Sequence, residues 1–466
     1  MRLDQKFIRS VIPDAVCMGT DIPAAAVFTV DSRLVNQGEI FVAIKGIHAD
    51  GHDFIHDALH NGASGLILAQ KKQDCLKKIE ESRLKKIAII VVSDPEAAII
   101  ALAAAWRAQF TYPVIGITGS IGKTSTKEIV ANILRMQGKL FLVSQGNQNT
   151  ALGVSLNILK MQPEHEVAIF EMGISKRGEM ARMAELVRPT SAVITAIGHS
   201  HMEGLGSLND ISAEKRDIFK FFKEDSIGII NGDLPILATI AYAHPIIKFG
   251  NKTINQIQAR KIHSVGNQTQ FVLKLYHDRY TIVLDTQHSG RVYNALAAVS
   301  VAHFLGIPHD MIIKGIQAPL AVAGRYQSLE LKFAHGTVIN DCYNASPESM
   351  KAALLAFEKI DSRGQKIAVL GDMLELGVNS PFWHRQLGRL LRKVPSLKHV
   401  VLVGEHVKWT LKTIPVGLTF EIVPTWHEAI TCLEKKLNQE SIVLVKGSRG
   451  VGLDNLVKKI SENSTF

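Results

Sequence analysis

Val114-Ile-Gly-Ile-Thr-Gly-Ser-Ile-Gly-Lys-Thr-Ser-Thr-Lys127 decides the fold. A β-branched run enters a glycine-bearing loop, and the residues beyond read as a helix. Strand, loop and helix in that order open a nucleotide-binding α/β sheet. The loop reads Gly119-x-x-Gly122-Lys123-Thr124. The strict phosphate-loop pattern has a glycine where this chain has Ile117. The backbone of Gly119, Ser120, Ile121 and Gly122, with the helix start at Thr124 and Ser125, suits phosphate oxygens. Lys123 would neutralise phosphate charge, and the Thr124 hydroxyl would ligate Mg²⁺.

Outward from this unit the strand–helix rhythm continues. Residues 167–170, 192–195 and 227–230 are fully apolar runs, as parallel strands buried on both faces require. Residues 271–276 and 280–284 flank His277-Asp-Arg and predict a β-hairpin-like insertion. An Ala-rich helix is predicted over 294–305 and a linker over 317–324. Before residue 110, strands are expected at 41–44 and 65–68, and helices at 54–59 and 94–107. The second helix opens on Asp94-Pro95, a cap and a first helical residue. After residue 324, apolar runs at 338–339, 367–370, 400–403 and 442–445 alternate with helical patterns. The expected fold is α/β, with a length of 466 residues suggesting about three domains. These are a small N-terminal α/β domain (1–110), a central P-loop-type mostly parallel sheet (111–319) and a C-terminal Rossmann-like domain (320–466).

Composition excludes several classes. Hydrophobic residues make up 46% and charged residues 21%, which argues for packed cores and against disorder. Four scattered Cys with no CxxC pair speak against a disulfide framework or a structural zinc site. The reducing cytoplasm is the expected compartment. No signal-peptide core and no apolar run of spanning length is seen, so no stable membrane insertion is expected. The net charge of +10 is spread: zero over 1–110 and +5 over each of 111–320 and 321–466. The densest basic stretch, Lys71 to Lys86, is interleaved with Asp74, Glu80 and Glu81, as on a solvated helix face. No nucleic-acid partner is expected; a diffuse positive field suits small anionic substrates.

Polar residues cluster after predicted strands. Glu171 ends the run 167–170 and could hold Mg²⁺; capping a helix before Gly173 is the competing reading. His199, His201 and Glu203 lie in a Gly-rich loop after the next strand, suited to metal or catalysis. An amphipathic helix over 211–222 carries Lys215 and Arg216, by itself a solvated face. Residues 340–347, 371–377 and 446–450 each follow a strand of the last domain, so one face of that domain reads as a ligand crevice.

Together these segments resemble the Mur ligase family, ATP-dependent amide-bond-forming enzymes of bacterial peptidoglycan synthesis. The resemblance rests on Asp31-Ser32-Arg33, the phosphate loop, Gly146-Asn-Gln-Asn-Thr-Ala-Leu-Gly-Val154 and Glu171-Met-Gly173. It extends through His201-x-Glu-Gly-x-Gly206, Asn294-Ala-Leu-Ala-Ala298, Gly324-Arg325, Asp341-x-Tyr-Asn-Ala-x-Pro347, Gly371-Asp-Met-x-Glu-Leu-Gly377 and Lys446-Gly-Ser-Arg449. The Gly-Asp-Met and Asp-x-Tyr-Asn-Ala segments point to the branch that adds D-alanyl-D-alanine to UDP-N-acetylmuramoyl-tripeptide. A ligase of the same family with another acceptor is the alternative.

The resemblance implies ATP and Mg²⁺ as cofactors, an acyl-phosphate intermediate and a monomer acting on small molecules. Lys123, Glu171, His201 and Lys215 would be catalytic. Thr124, Glu171, His201 and a carbamylated Lys215 would hold metal, His201 a second Mg²⁺. Asn294, Arg325 and Asp341 would contact ATP, and Ser32 and Arg33 the UDP moiety. Asn147, Asn149, Thr150, Tyr343, Asn344 and Lys446 would line the cleft. The family's His-Asn ahead of Asn294 is replaced by Gly290-Arg291, which makes Arg291 a candidate to stack on the base.

Overall fold

The computed structural model describes residues 2–23, 26–332 and 336–461. It is α/β with three sheets. The first holds β1 (Val16–Gly19), β2 (Phe28–Thr29), β3 (Ile40–Val42), β4 (Gly65–Ala69) and β5 (Ala88–Val92), in the order β1-β5-β4-β3-β2. All its pairs are parallel except β1 with β5. Every residue of β4 and β5 is buried, as expected for parallel strands covered on both faces. The helix Pro95–Arg107 begins as its sequence dictates. The Asp94 carboxylate accepts the N–H groups of Glu96 and Ala97, and Pro95 occupies the first turn, where no N–H is needed.

The second sheet comprises β6 (Val114–Thr118), β7 (Phe141–Val143), β8 (Val167–Glu171), β9 (Ser191–Ile194), β10 (Ile227–Asn231), β11 (Ile246–Gly250), β12 (Ile257–Val265), β13 (Gln268–Leu275) and β14 (Asp278–Leu284). β7 pairs with β8 in parallel, and β9 to β12 are successive parallel neighbours. β12 to β14 form an antiparallel meander.

The third sheet contains β15 (Gln327–Glu330), β16 (Thr337–Asn340), β17 (Lys366–Gly371), β18 (Leu397–Val403), β19 (Thr419–Val423) and β20 (Ile442–Lys446). Its order is β15-β16-β20-β17-β18-β19, parallel but for β15. An apolar core lies on each face. Phe357, Leu387 and Leu391 belong to one, Leu433, Leu456 and Ile460 to the other. β16, β20 and β17 are adjacent, so the three polar segments predicted as a crevice leave neighbouring strand ends.

Contacts divide the chain into two compact units. One comprises residues 1–116, 140–173 and 179–190; the other comprises 117–139, 174–178 and 191–466. The first holds the N-terminal sheet with β7 and β8. The second holds the phosphate loop, β9 to β14 and the third sheet. No helix among the described residues is long and apolar enough to cross a membrane.

Several local expectations change. The hairpin-like insertion is the outer part of the β12–β14 meander, continuous with β11. The helix expected over 294–305 spans Gly290–Phe304, so Gly290 and Arg291 sit in its first turn. The basic stretch after residue 70 is solvated as expected, with Lys71, Lys72, Lys77, Arg83, Lys85 and Lys86 exposed, but it is a 3₁₀ segment, Gln70–Lys78, followed by the short helix Glu81–Leu84 and not one helix. The helix expected over 211–222 runs Leu208–Arg216 and tightens into a 3₁₀ turn over Asp217–Phe219. Lys215 on it is 1% exposed, which overturns the solvated-face reading.

Candidate active site

In the larger unit the loop after β6 is pinned on every side. Gly119 (φ +147°) and Gly122 (φ +90°) adopt backbone conformations that side chains rarely take. A Cβ at Gly119 would collide with the Thr195 hydroxyl, and one at Gly122 with the Asn294 amide. Ser120 donates its N–H to the Ala196 carbonyl at 2.8 Å, and its hydroxyl exchanges hydrogen bonds with Gly198. The Lys123 ammonium donates to the Gly119 carbonyl at 2.8 Å, so the cation lies over the loop. Asn294 thus touches the loop backbone, through a helix whose Ala-rich turns allow close packing.

Arg325, just ahead of the third sheet's edge strand β15, reaches the same loop. Arg325 donates from Nη2 to the Thr124 hydroxyl at 3.5 Å, a long contact, and its guanidinium stacks 3.9 Å over Tyr343. Asp341 forms an ion pair with Lys446 at 2.6 Å and accepts the Tyr326 N–H. Lys446, 1% exposed, also donates to the Asn344 carbonyl at 3.1 Å. Arg325, Asp341, Tyr343, Asn344 and Lys446 therefore form one connected group that touches Thr124.

Two histidine–glutamate pairs join the loop after β9 to the third sheet. His201 Nδ1 lies 2.6 Å from Glu375 Oε2, and that contact holds the Glu375 carboxyl below its usual range. Both residues have left-handed backbones, and the Glu203 N–H donates to the Glu375 carbonyl. His199 donates its N–H to Glu348 Oε1 at 3.1 Å, its ring Nδ1 bonds the same oxygen, and the ring lies 4.4 Å from Trp383. Lys215 is enclosed nearby in sequence. Burial pushes its amine well below the usual lysine range; the charge of Lys123 adds to this and Glu214 opposes it.

The smaller unit brings together a second group. Glu171 ends β8 at 1% exposure, accepts from Asn149 Nδ2 at 3.0 Å, and donates its own N–H to the Ser144 hydroxyl. The Asn149 N–H donates to the Asn147 carbonyl, and the Asn149 carbonyl accepts from the Gly173 N–H. Thr150 caps the helix Ala151–Ile158 by accepting the Gly153 N–H. Asn147, Asn149, Thr150 and Glu171 therefore converge. Ser32 is buried and its carbonyl accepts from Asn61, whereas Arg33 is exposed and folded onto Asp31 at 2.7 Å.

Comparison with known proteins decides the family. The chain matches the models of the Mur ligase family catalytic domain over residues 26–107, the Mur ligase middle domain over 117–302 and the Mur ligase glutamate ligase domain over 324–449. It is 32% identical to the UDP-N-acetylmuramoyl-tripeptide–D-alanyl-D-alanine ligase of Bacillus subtilis (strain 168), over 93% of this chain and 92% of the relative.

The chain belongs to the Mur ligase family.

Among solved structures, MurF from Acinetobacter baumannii superposes with a TM-score of 0.82 at 28% identity, covering 97% of each chain. The MurF ligase of Thermotoga maritima in complex with ADP gives 0.77 at 28% identity, covering 93% of this chain and 96% of that one.

Within this Mur ligase, no three His, Cys, Asp or Glu side chains among the described residues stand together as a ready metal cage. Mg²⁺ does not need one. It is held by one or two carboxylates, substrate phosphates and water. The Thr124 hydroxyl and the buried Glu171 carboxylate are oxygen donors of that kind. The Lys215 amine is not, but a neutral buried amine is the form that adds CO₂ to give a carbamate. The donor chemistry fits the metal on those terms. Arg291 donates from Nη2 to the Leu320 carbonyl at 3.1 Å, and burial lowers its pKa. His288, unremarked in the sequence, lies three residues earlier against Tyr326, with ring centroids 4.9 Å apart. Burial pushes it down to about 4. Sequence reasoning also missed Glu348, Trp383 and Ser144. Glu348 sits in the first turn of the helix Pro347–Lys359, where an acid looks like an ordinary dipole partner.

Proposed function

We propose that this chain joins D-alanyl-D-alanine to UDP-N-acetylmuramoyl-tripeptide with consumption of ATP, giving the UDP-linked pentapeptide, ADP and phosphate. The tripeptide's terminal carboxylate attacks the γ-phosphorus, and the bridging P–O bond to ADP breaks. The dipeptide's ammonium first loses a proton, and the free amine attacks the acyl carbon; the C–N bond forms, the C–O bond to phosphate breaks, and the nitrogen's surplus proton leaves with the phosphate. Three anionic groups must be brought together, so fixed cations and hydrogen-bond donors carry most of the work.

The loop Gly119–Thr124 cradles the phosphates, with Lys123 over it. Asn294 holds the loop's glycine backbone in register. Arg325, braced by Tyr343, and the pair Asp341–Lys446 present the third sheet's polar ends to the nucleotide. Mg²⁺, when bound, neutralises phosphate charge; Thr124, Glu171, His201 and a carbamylated Lys215 would hold it. Ser32 and Arg33 are assigned to the UDP moiety, and Asn147, Asn149, Thr150 and Asn344 to the substrate cleft. We assign the three segments 1–110, 111–319 and 320–466 to UDP-substrate, ATP and acceptor functions, in a cytoplasmic monomer.

The observation that carries this reading is the connected group Thr124–Arg325–Tyr343 with Asp341–Lys446 beside it. It joins a phosphate loop to a strand-end crevice in one compact unit. Phosphate release measured with each substrate omitted in turn tests it. Release is expected only with ATP, the UDP-tripeptide and D-alanyl-D-alanine all present. Equal release with glutamate, diaminopimelate or lysine as acceptor would move the chain to another branch.

A further inference from the structure

One carboxylate beyond the end of β10 collects donors from three segments of the larger unit. Asp233 Oδ1 accepts the Lys252 N–H at 2.9 Å and Asn255 Nδ2 at 2.8 Å. Its Oδ2 accepts the Asn251 N–H at 2.7 Å and the Tyr293 hydroxyl at 3.0 Å. Burial raises its pKa, but these four hydrogen bonds outweigh burial and hold the carboxyl below its usual range. The turn after β11 is fitted to the carboxylate. A Cβ at Gly250 (φ +151°) would collide with Asp233, and one at Gly232 with the Asn255 amide. Lys252 closes the turn by donating from Nζ to the Asp233 carbonyl at 2.9 Å.

Two bonded arms run from Asp233 to the phosphate loop. The first passes through the helix Gly290–Phe304. Tyr293 immediately precedes Asn294, whose amide a Cβ at Gly122 would meet. The Tyr293 hydroxyl donates to Asp233 and accepts from Asn251 Nδ2 at 3.0 Å. A first turn tied at Tyr293 cannot rotate about the helix axis, which fixes the direction of the next side chain, Asn294. The second arm passes through buried Asn231. Its Oδ1 accepts the Asp233 N–H at 3.1 Å, and its Nδ2 donates to the Thr195 carbonyl at 3.4 Å. The Thr195 hydroxyl donates to the Ile121 carbonyl at 2.6 Å. The arms therefore reach successive loop residues, Ile121 and Gly122.

We propose that Asp233 and Tyr293 are positioning residues for nucleotide binding, acting through Asn294 and Thr195 on the phosphate loop. Each Asp233 oxygen already accepts two hydrogen bonds, so the carboxylate has no lone pair left for a metal or substrate donor. Its effect on the nucleotide is to keep the loop in its binding conformation. A loop that must be ordered at the moment of binding loses affinity by the cost of that ordering. The assignment rests on the ATP reading of the loop given above.

The test is ADP binding with Mg²⁺ by isothermal titration calorimetry, in wild type, Tyr293→Phe, Asn294→Ala and the double variant. Tyr293→Phe keeps the ring and removes one hydroxyl. It is expected to weaken ADP by about 3- to 30-fold. The KM for ATP should rise with it, while the KM for D-alanyl-D-alanine stays within about two-fold. In the Asn294→Ala background the same change should add less than about two-fold, because that arm no longer reaches Gly122. Asp233→Asn, which sets an amide donor against donors, should weaken ADP more than Tyr293→Phe does. A folded Tyr293→Phe protein that melts earlier yet binds ADP within about two-fold of wild type has lost only a structural bond, and overturns the proposal. Full additivity of Tyr293→Phe and Asn294→Ala overturns it as well. Wild type that binds no ADP overturns the nucleotide reading itself, and the proposal with it.

Discussion

Replacing Lys215 with Met isolates what burial of one amine costs this fold. Lys215 is 1% exposed, and its enclosure, with Lys123 close by, disfavours the ammonium form. An exposed lysine keeps a pKa near 10.4, and each unit by which enclosure lowers it costs folding about 1.4 kcal/mol near neutral pH. Folding bears that cost in wild type. Met fills a similar volume without a charge to remove, so Lys215→Met should be more stable near pH 7, by roughly 1 kcal/mol or more. The pH dependence gives a sharper sign. The folded-state pKa lies below the unfolded value, so the unfolded chain binds the extra proton in that window. Wild-type stability therefore rises with pH up to about 10.4, at about 1.4 kcal/mol per unit for one proton. The measurement is urea denaturation of both proteins in CO₂-free buffers between about pH 8 and pH 10. The wild-type minus variant difference should climb across that interval, at no more than about 1.4 kcal/mol per pH unit. Parallel curves, or a Met variant less stable throughout, would show that Lys215 stays charged, and the route to its carbamate would fail. Ligase activity is expected to vanish in the same variant, a stability–activity trade-off at a functional site.

Other outcomes follow from the same geometry. Gly122→Ala places a side chain at φ +90° and against Asn294. It should cost about 1–2 kcal/mol from backbone conformation alone and weaken ATP binding at least about 10-fold. Adding Asn294→Gly should recover part of the loss, and full additivity of the two changes would contradict the contact. Glu375→Gln keeps the shape but removes the charge facing His201 Nδ1. Mn²⁺ affinity, followed by electron paramagnetic resonance, should fall about 10-fold, and unchanged affinity would detach Glu375 from the metal. His288, depressed to about 4 against an unfolded value of 6.5, binds its proton more tightly when unfolded. Stability should fall as pH drops from about 6.5 to 4, by at most roughly 3 kcal/mol from this group. A His288→Gln variant should show a shallower acid limb, and identical limbs would refute the assignment.

Much of the architecture was legible because buried parallel strands announce themselves. Val167–Glu171, Ile227–Asn231 and Lys366–Gly371 are apolar runs of the right length, and the glycine loop after Thr118 names its own chemistry. Thr419–Val423 and Gln327–Glu330 escaped notice because they are edge strands with alternating exposure, where the apolar signal thins. Lys215 was misread for a related reason. The period of one helix shows which residues share a face, but not what packs against that face. Its burial is set by other parts of the chain, while its neighbour Arg216 on the same turn is less enclosed. The partners of His199 and His201 were illegible because Glu348 is 149 residues from His199, and no local pattern ties the two. Glu375 stood inside a quoted motif, yet only the folded chain shows that its carboxylate meets an imidazole.

The acyl phosphate is the central chemical claim, and isotope transfer reads it directly. The UDP-tripeptide is prepared with ¹⁸O in its terminal carboxylate and turned over with ATP and D-alanyl-D-alanine. The account predicts that each phosphate released carries one ¹⁸O from that carboxylate, in step with pentapeptide formed. Pentapeptide accompanied by phosphate free of ¹⁸O would contradict it.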